Sequence, residues 1–310
     1  MQEYSYKGKL IIGVDHGYGN MKTAHRVFMT GLDAMEQEPI VSTNYLKYKD
    51  MYYVIGETHL TYQGDKTDTE DFFILTLAAL AEELKFRNLY EADIYLAAGL
   101  PLAWAKSQAN DFSNYLMRET DLQFEFRKEK FRIHISGTVL FPQGFAAICQ
   151  EGNMKGFNMI ADIGNGTMNV MQINDGRPLE KSLITEKFGV SCCMKEIQNE
   201  LTKDYAGDVS EAMIEPLLRN GCSDRTDIVA KKTEHIAGKY AAEIMKRLVN
   251  YGYKEGLVNL YIVGGGGCLL KHYTDIAGRQ GVTFIDDICA NAKGYEFLAI
   301  KKMKAMERRN

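Results

Sequence analysis

The sequence lacks the features that mark several classes of protein. No apolar run approaches the roughly 18 residues that a transmembrane helix needs, and the start of the chain lacks the long apolar core of a signal peptide. The six cysteines form no C-x-x-C pair, and the six histidines show no H-E-x-x-H or other paired spacing, so no zinc site is expected. We therefore expect a cytoplasmic protein without a membrane partner, in which the cysteines are free buried thiols.

Composition and charge exclude a further class of partner. Hydrophobic residues make up 45% and charged residues 25% of the 310 residues, which is typical of a globular protein with a sizeable core. The formal net charge is −4 and the two signs are interleaved, which argues against direct binding to nucleic acid. The basic run at 301–310 is interpreted as the solvated end of a helix.

Apolar periodicity indicates strands that alternate with helices, and this predicts an α/β fold on mostly parallel sheets. The segment 71–86 has helical spacing with an acidic N-cap, and 121–144 alternates as a β-hairpin does. The other expected helices lie at 104–118, from 145, from about Ser191 and within 226–252. The other main strands are expected at 9–14, 92–102 and 258–263, with two strands joined by a glycine turn within 157–175.

The clearest pattern is an internal repeat about half the chain apart. IIGVDHGYGNMKTA (11–24) and MIADIGNGTMNVMQI (159–173) share one order: apolar strand, aspartate, glycine turn, polar residue and second strand. The period is too long for a solenoid, so a duplicated domain is the better interpretation. The repeat predicts two domains of like fold, each contributing one glycine turn to a shared cleft.

Each glycine turn carries one carboxylate, Asp15 or Asp162. A tight turn exposes backbone N–H groups that bind phosphate oxygens, and Lys22 and Thr167 can add phosphate contacts. Two carboxylates approach a polyphosphate only around a divalent cation, and Mg²⁺ suits such a site. The bare backbone of VGGGG (263–267) can accept a nucleoside. No P-loop motif is present. Each element alone is also compatible with an ordinary turn or flexible loop; their order and duplication favour a nucleotide site.

These segments resemble the motifs of the actin-like ATPase superfamily, which also includes the Hsp70 chaperones and sugar kinases. IGVDHGYGNMK (12–22) and IADIGNGTMNV (160–170) resemble its two phosphate motifs, and IVGGGGCLL (262–270) its adenosine motif. TVLFPQGFAAI (138–148) and FIDDICANAKGYEFLA (284–299) are similar to its two connecting segments. The GYGNMK and LAAGLPL segments look most like the ParM/StbA plasmid-segregation actins and their archaeal relatives.

The resemblance implies an actin-like fold with two duplicated domains, mixed sheets flanked by helices, around a nucleotide cleft. Domain I would span 1–150, with 290–310 packing back on it, and domain II would span 151–289. It also implies a slow hydrolase of ATP or GTP that polymerises into dynamic filaments and drives plasmid segregation. Its partners would be further copies of itself and a DNA-binding adaptor protein.

The resemblance further assigns roles to individual residues. Asp15 and Asp162 would hold Mg²⁺ mostly through water, Asp162 would also polarise the attacking water, and Gln143 would position that water. Lys195 and Glu196 lie on the helix that contacts the base in actins. The implied nucleotide-binding residues are Gly17, Tyr18, Gly19, Asn20 and Lys22, then Gly164, Asn165, Gly166 and Thr167, then Gly264, Gly265 and Gly266.

Departures from the family pattern leave the reaction open. The second phosphate motif commonly reads DIGGGTxD, whereas Asn165 replaces a glycine here and Asn169 replaces the last aspartate. Gln143, in place of glutamate, can orient water but is no base, so hydrolysis would rest on positioning and electrostatics. The alternatives are a small-molecule kinase or phosphotransferase, and a nucleotide switch that does not polymerise.

Overall fold

The computed structural model describes residues 3–56, 60, 66–101, 107–150, 154–205, 207–222 and 227–308. The chain forms two compact units, the first of Met1–Gly152 with Asp287–Asn310 and the second of Asn153–Asp286. None of the helices within these described ranges is long and apolar enough to cross a membrane.

The sheet of the first unit is mixed rather than mostly parallel. Its strand order is β4-β3-β2-β8-β10-β9-β6-β7-β5, and β1 pairs with β2. Among the described strands, β2, β8 and β10 run parallel to one another, and the other neighbouring pairs are antiparallel. Most antiparallel pairs join consecutive strands, as hairpins do, whereas β5 with β7 and β6 with β9 are pairs of strands that do not follow each other. The strands are Ser5–Tyr6 (β1), Lys9–His16 (β2), Asn20–Lys22 (β3), Val27–Met29 (β4), Leu32–Met35 (β5), Tyr45–Tyr48 (β6), Met51–Ile55 (β7), Glu91–Leu100 (β8), Asp121–Phe126 (β9) and Glu129–Pro142 (β10).

The sheet of the second unit is smaller and also mixed. Its order is β13-β12-β11-β15-β16, with β14 paired to β12. β11, β15 and β16 run parallel, and β12 is antiparallel to its neighbours β11, β13 and β14. The strands are Phe157–Ile163 (β11), Met168–Asn174 (β12), Arg177–Pro178 (β13), Ile184–Glu186 (β14), Asn259–Val263 (β15) and Val282–Ile285 (β16).

The α-helices cover the two sheets. Helices α1, α2, α3 and α8 belong to the first unit, and α4 to α7 belong to the second. They span Asp71–Phe86 (α1), Ala109–Leu116 (α2), Phe145–Ile148 (α3), Val190–Thr202 (α4), Glu211–Asn220 (α5), Ile228–Asn250 (α6), Gly267–Tyr273 (α7) and Ala290–Glu307 (α8).

Helix α1 has the bounds that its apolar spacing predicts, and its N-cap residue is acidic, as expected. The N-cap is Glu70, and its side chain makes no capping hydrogen bond. The backbone carbonyl of Glu70 instead accepts the N–H groups of Phe73 and Ile74, each at 3.0 Å. The helix expected at 104–118 is shorter, as α2, and residues 104–106 lie outside the described part of the chain.

The cysteines are free, as predicted, but only half of them are buried. Cys193, Cys222 and Cys289 are buried, whereas Cys192 is exposed. Cys192 and Cys193 are successive residues of α4, and successive helical residues point about 100° apart. They therefore cannot both face the core.

Helix α8 packs closely on the parallel strands of the first unit. A Cβ atom on Gly13 of β2 would lie 2.1 Å from the carbonyl oxygen of Ala292, so only glycine fits there. The Gly13 N–H donates to Glu296 Oε1 at 3.1 Å. Arg87 Nη2 lies 3.2 Å from the same carboxylate and 2.7 Å from Glu83 Oε1. This buried ionic cluster fixes α8 against β2.

We expect the cluster to make stability depend on pH through Glu296. Burial raises the pKa of Glu296 to about 7, against the opposing effects of Arg87 and the Gly13 N–H. This carboxyl is harder to ionise in the folded state than in the unfolded state. The free energy of unfolding that it contributes is therefore fully present below pH 4.5 and is lost as pH rises through about 7. As pH rises from 5 to 8, the free energy of unfolding of Glu296→Gln should increase by up to about 3 kcal/mol relative to that of the wild type. Denaturant unfolding at each pH measures this difference.

A matched control is Glu119→Gln, which alters a carboxyl with the opposite shift. Hydrogen bonds from Tyr48 and Lys49 lower the pKa of Glu119, so its contribution is lost as pH falls. If the Glu296→Gln and wild-type stabilities stay parallel from pH 5 to 8, the raised pKa of Glu296 is contradicted.

Candidate functional site

The first glycine turn, residues 17–19, connects β2 to β3. Asp15 lies near the end of β2, is 3% exposed and pairs in register with Lys22 of β3. A Cβ on Gly17 would lie 2.7 Å from the carbonyl oxygen of Asn20, so the turn is tight. From behind, Thr30 Oγ1 donates to the Tyr18 carbonyl at 2.6 Å. The turn therefore has the strand–turn–strand form that the sequence predicts.

The Asp15 carboxylate lies beside two other predicted site residues, Lys22 and Gln143. Lys22 Nζ lies 3.2 Å from Oδ2, and Gln143 Nε2 donates to Oδ1 at 3.1 Å. Gln143 immediately follows β10, and the carboxyl ends of the parallel strands β2, β8 and β10 meet at one edge of the sheet. Burial would raise the pKa of Asp15, but Lys22 and Lys66 outweigh it and hold the pKa below its usual value. The carboxylate is therefore ionised at neutral pH.

Lys66 is a buried cation behind this turn that sequence reasoning missed. Its side chain is among the fully buried ones, and Nζ donates to the carbonyl oxygen of His16, the residue after Asp15. The ammonium lies 5.3 to 6.0 Å from the ring centroids of Tyr18, Phe72 and Phe112. Burial lowers the pKa of Lys66 to about 8, although Asp15 opposes the shift. Nothing in the polar segment around Lys66 marks it as buried.

His16 adds no charge to this cluster. Burial, with a smaller effect from Lys66, lowers its pKa to about 3. Its Nε2 lies 2.8 Å from Thr76 Oγ1, and that hydroxyl donates to the Phe72 carbonyl, so Nε2 carries the hydrogen. With His16 neutral, two lysines face one carboxylate. The net charge beside the first turn is positive and suits an anionic ligand.

The second glycine turn, residues 164–167, connects β11 to β12. The Gly164 N–H donates to the Thr167 carbonyl at 2.8 Å, and Asp162 is 7% exposed at the end of β11. The first amides of α4, at Val190 and Ser191, donate to the carbonyls of Gly164 and Asn165 at 3.0 and 2.9 Å. The turn is thereby fixed to the start of a helix.

Two amides of this turn are directed to no backbone partner. Within the described residues, the N–H groups of Asn165 and Gly166 donate to no backbone carbonyl. Successive amides in a turn form a concavity that binds anions. These two amides suit phosphate oxygens, which is the role that the sequence predicts for the second turn.

The glycine run after β15 packs on the end of β11, directly before the second turn. Gly264 has φ +86°, and a Cβ there would lie 2.6 Å from the Ile163 carbonyl oxygen and 2.8 Å from Asp162 Oδ1. The Gly266 N–H donates to the same Ile163 carbonyl at 2.9 Å. A Cβ on Gly265 would meet nothing within 4 Å. The second unit thus brings together Asp162, the second turn and the proposed nucleoside surface.

Asn169 lies opposite Asp162 in the register of β11 and β12. Its Oδ1 accepts a hydrogen bond from Thr185 Oγ1 at 2.8 Å, and its Nδ2 lies 3.5 Å from Thr167 Oγ1. A carboxylate at this position would lose the donor that faces Thr167. The asparagine is therefore fitted to two hydroxyl groups of its own unit.

The predicted base-contacting residues contribute nothing visible to this arrangement. Lys195 and Glu196 are both exposed on α4. Their assignment rests on the resemblance alone.

In the part of the chain that the structure describes, protein side chains alone do not build a metal centre. In the described ranges, no group of three or more His, Cys, Asp or Glu residues is placed to hold a metal ion. Asp15 and Asp162 are each the single acidic residue of their turn. A single buried carboxylate beside a glycine turn fits a magnesium ion that is held mostly by water and phosphate oxygens.

Comparisons with known proteins identify similar chains. The family model for the N-terminal domain of actin-like proteins matches residues 13–145. No curated protein matches the sequence.

Among solved structures, an archaeal actin homologue is 20% identical to this chain, with a TM-score of 0.76. The match covers 94% of this chain and 99% of that chain. The same homologue was also solved as a complex with ADP. ParM of a 15-stranded filament from Clostridium botulinum is 18% identical, with a TM-score of 0.74 and coverage of 95% and 99%. ParM of Bacillus thuringiensis with ATP is 14% identical, with a TM-score of 0.71 and coverage of 96% and 100%.

These likenesses establish the fold and not the activity, because the identities are low. The predicted fold class, with two mixed sheets flanked by helices in an actin-like fold, is confirmed. The predicted resemblance to actin-like proteins is confirmed by the family model over residues 13–145, and the chain shares its fold with the two ParM proteins.

Proposed function

Because this chain has the actin-like fold, we propose that it binds ATP, or GTP, with Mg²⁺ and hydrolyses it slowly as a filament-forming protein. The observation that carries the proposal is the buried Asp15 carboxylate within hydrogen-bonding distance of Lys22 and Gln143. An ionised carboxylate that lies beside a glycine turn and two lysines is suited to organise a hydrated cation and a polyphosphate together. An ordinary turn needs none of these groups.

In this proposal the two turns hold the phosphates and the glycine run holds the nucleoside. Gly17, Tyr18, Gly19 and Asn20, with Lys22, bind phosphate oxygens from the first turn. Asn165, Gly166 and Thr167, next to Gly164, bind them from the second. Gly264, Gly265 and Gly266 present bare backbone to the nucleoside.

Hydrolysis would rest on orientation rather than on a strong base. Asp15 and Asp162 would hold Mg²⁺ through water, and the ion would neutralise charge on the phosphate oxygens. The Gln143 amide, now 3.1 Å from Asp15, can orient a water molecule but cannot accept its proton as a carboxylate would. Slow turnover follows from this residue choice.

We further propose that nucleotide binding drives assembly of this chain into filaments that segregate plasmid DNA in the cytoplasm. Support comes from the similar ParM of Clostridium botulinum, which was solved as a filament. The net charge of −4 disfavours direct contact with DNA. A DNA-binding adaptor protein would therefore connect the filament to the plasmid.

Right-angle light scattering with parallel phosphate release tests this proposal. On addition of ATP and Mg²⁺, scattering should rise above a critical protein concentration, and phosphate release should follow. A non-hydrolysable ATP analogue should give scattering that rises and does not decay. Phosphate release without assembly would favour a kinase, and a search for phosphorylated small acceptors would then identify it. Tight binding with neither would favour the nucleotide switch.

A further inference from the structure

Asn291, in the first turn of α8, reaches the segment that carries Gln143. Its side chain is 8% exposed, and its Oδ1 accepts the Gly144 N–H at 2.9 Å. Gly144 belongs to the first connecting segment, 138–148, and Asn291 belongs to the second, 284–299. The proposed mechanism so far assigns Asn291 no role.

The Gln143 segment depends on few hydrogen bonds for its course. The Gln143 N–H donates to the Leu100 carbonyl at 2.9 Å, and the next amide donates to Asn291. Gly144 has φ +79° and ψ −52°, a conformation that other residues rarely adopt. The chain therefore turns sharply directly after Gln143, and the side chain of Asn291 holds the amide at that turn.

Close packing leaves Asn291 little room to move. A Cβ on Gly294, one turn along α8, would lie 1.9 Å from the Ala146 carbonyl oxygen. Helix α8 and the short helix α3 after Gly144 are thus in backbone contact. The donor at Gly144 and the acceptor at Asn291 therefore lie on two closely packed elements.

We propose that Asn291 is a positioning residue for Gln143. By holding the Gly144 amide it sets the direction in which the Gln143 side chain leaves the backbone toward Asp15. The inference rests on the proposed function, because it assigns Asn291 to the hydrolysis step and not to nucleotide binding. It also assigns a task to the second connecting segment beyond joining two units.

The test compares Asn291→Ala with Asn291→Asp and with a control at Asn158. The alanine variant removes the acceptor, while the aspartate variant keeps an oxygen that can accept the Gly144 N–H. Asn158 is also buried, and its Nδ2 donates to backbone carbonyls, the shortest bond being 2.9 Å to Gly156. Asn158→Ala thus removes a comparable side-chain-to-backbone contact near the start of β11, in the second unit.

The readouts are ATP affinity, the hydrolysis rate per assembled subunit, and the melting temperature. Asn291→Ala should hydrolyse ATP about 10- to 100-fold more slowly, since small misplacements of a catalytic group have effects of that size. Its ATP affinity should stay within about twofold of the wild type, because the phosphate turns are untouched. Asn291→Asp should recover most of the rate. Asn158→Ala should lower the melting temperature without a selective loss of rate.

The outcomes separate this inference from the proposed function. An Asn291→Ala chain that hydrolyses at the wild-type rate, or that loses affinity and rate equally, overturns the inference alone. Equal losses of rate in the alanine and aspartate variants overturn it as well. A wild-type chain that neither binds nor hydrolyses nucleotide overturns the proposed function, and the inference with it.

Discussion

Replacing Gly264 by alanine should destabilise the second unit by about 2–4 kcal/mol and abolish nucleotide binding. Gly264 has φ +86°, which alanine adopts only with strain. The added methyl group would also lie 2.6 Å from the Ile163 carbonyl oxygen and 2.8 Å from Asp162 Oδ1. Because both neighbours belong to β11, the strand that carries Asp162 must shift. Calorimetric unfolding and ATP titration would measure the two effects.

The neighbouring Gly265→Ala variant separates folding from binding. A Cβ at Gly265 would meet nothing within 4 Å, so the melting temperature should remain that of the wild type. If the nucleoside lies against this backbone, the added methyl group would occupy part of the space of the nucleoside. ATP affinity should then fall about tenfold, because overpacking of a fitted surface costs about 1–3 kcal/mol. Gly238→Ala on α6, also in open space, should leave ATP affinity unchanged.

Two results would contradict this account of the glycine run. Wild-type stability of Gly264→Ala would contradict the close packing of the run on β11. Wild-type ATP affinity of Gly265→Ala would show that the nucleoside does not lie on this backbone.

Replacing Lys66 by methionine should weaken ATP binding while the protein remains as stable as the wild type or becomes more stable. The ammonium is fully buried among three aromatic rings, and burial lowers its pKa to about 8. A buried cation of this kind opposes folding, and an apolar chain of similar length fills the same space. Near a polyphosphate, however, one unit charge contributes about 2–4 kcal/mol at an effective dielectric constant of about 20. ATP affinity should therefore fall at least about tenfold.

Lys232→Met is the matched control for the loss of one lysine. Lys232 lies on α6 and pairs with Asp204 at 2.5 Å and Glu200 at 3.3 Å. Such partly exposed ion pairs contribute about 0–1 kcal/mol, so both stability and ATP affinity should change little. A Lys66→Met chain that binds ATP as the wild type does, or that unfolds at a much lower temperature, would restrict Lys66 to a structural role.

Local periodicity predicts most of the secondary structure of this chain. Helix α1 has its expected bounds because its apolar residues recur at helical spacing over about four turns. The structure buries the helix on nearly all sides, including every residue from Phe72 to Ala81. The strand–turn–strand units around Asp15 and Asp162 are predictable because an apolar run followed by glycine has few other structures. The sheet order of the first unit is not predictable in this way, since strand pairing depends on contacts between distant segments.

Some residues of the candidate site can be predicted from the local sequence, and others cannot. Asp15, Lys22 and Gly17 are recognisable because they lie within eight residues of one another in a compact motif. Gln143 is found only through the resemblance, although the structure places it beside Asp15. Lys66 and Asn291 act on this region from distant parts of the sequence. No local pattern marks Lys66 as buried, and Asn291 lies in a segment that only the resemblance singles out. The contacts of both residues are revealed by packing alone.

Nucleotide binding can be measured by calorimetric titration of ATP into the purified chain with Mg²⁺. We expect saturable binding of one nucleotide per chain, with affinity that falls when Asp15 is replaced by asparagine and when Mg²⁺ is withheld. Absence of saturable binding, or binding that is indifferent to both Asp15 and Mg²⁺, would contradict the claim that the glycine turns form a nucleotide site.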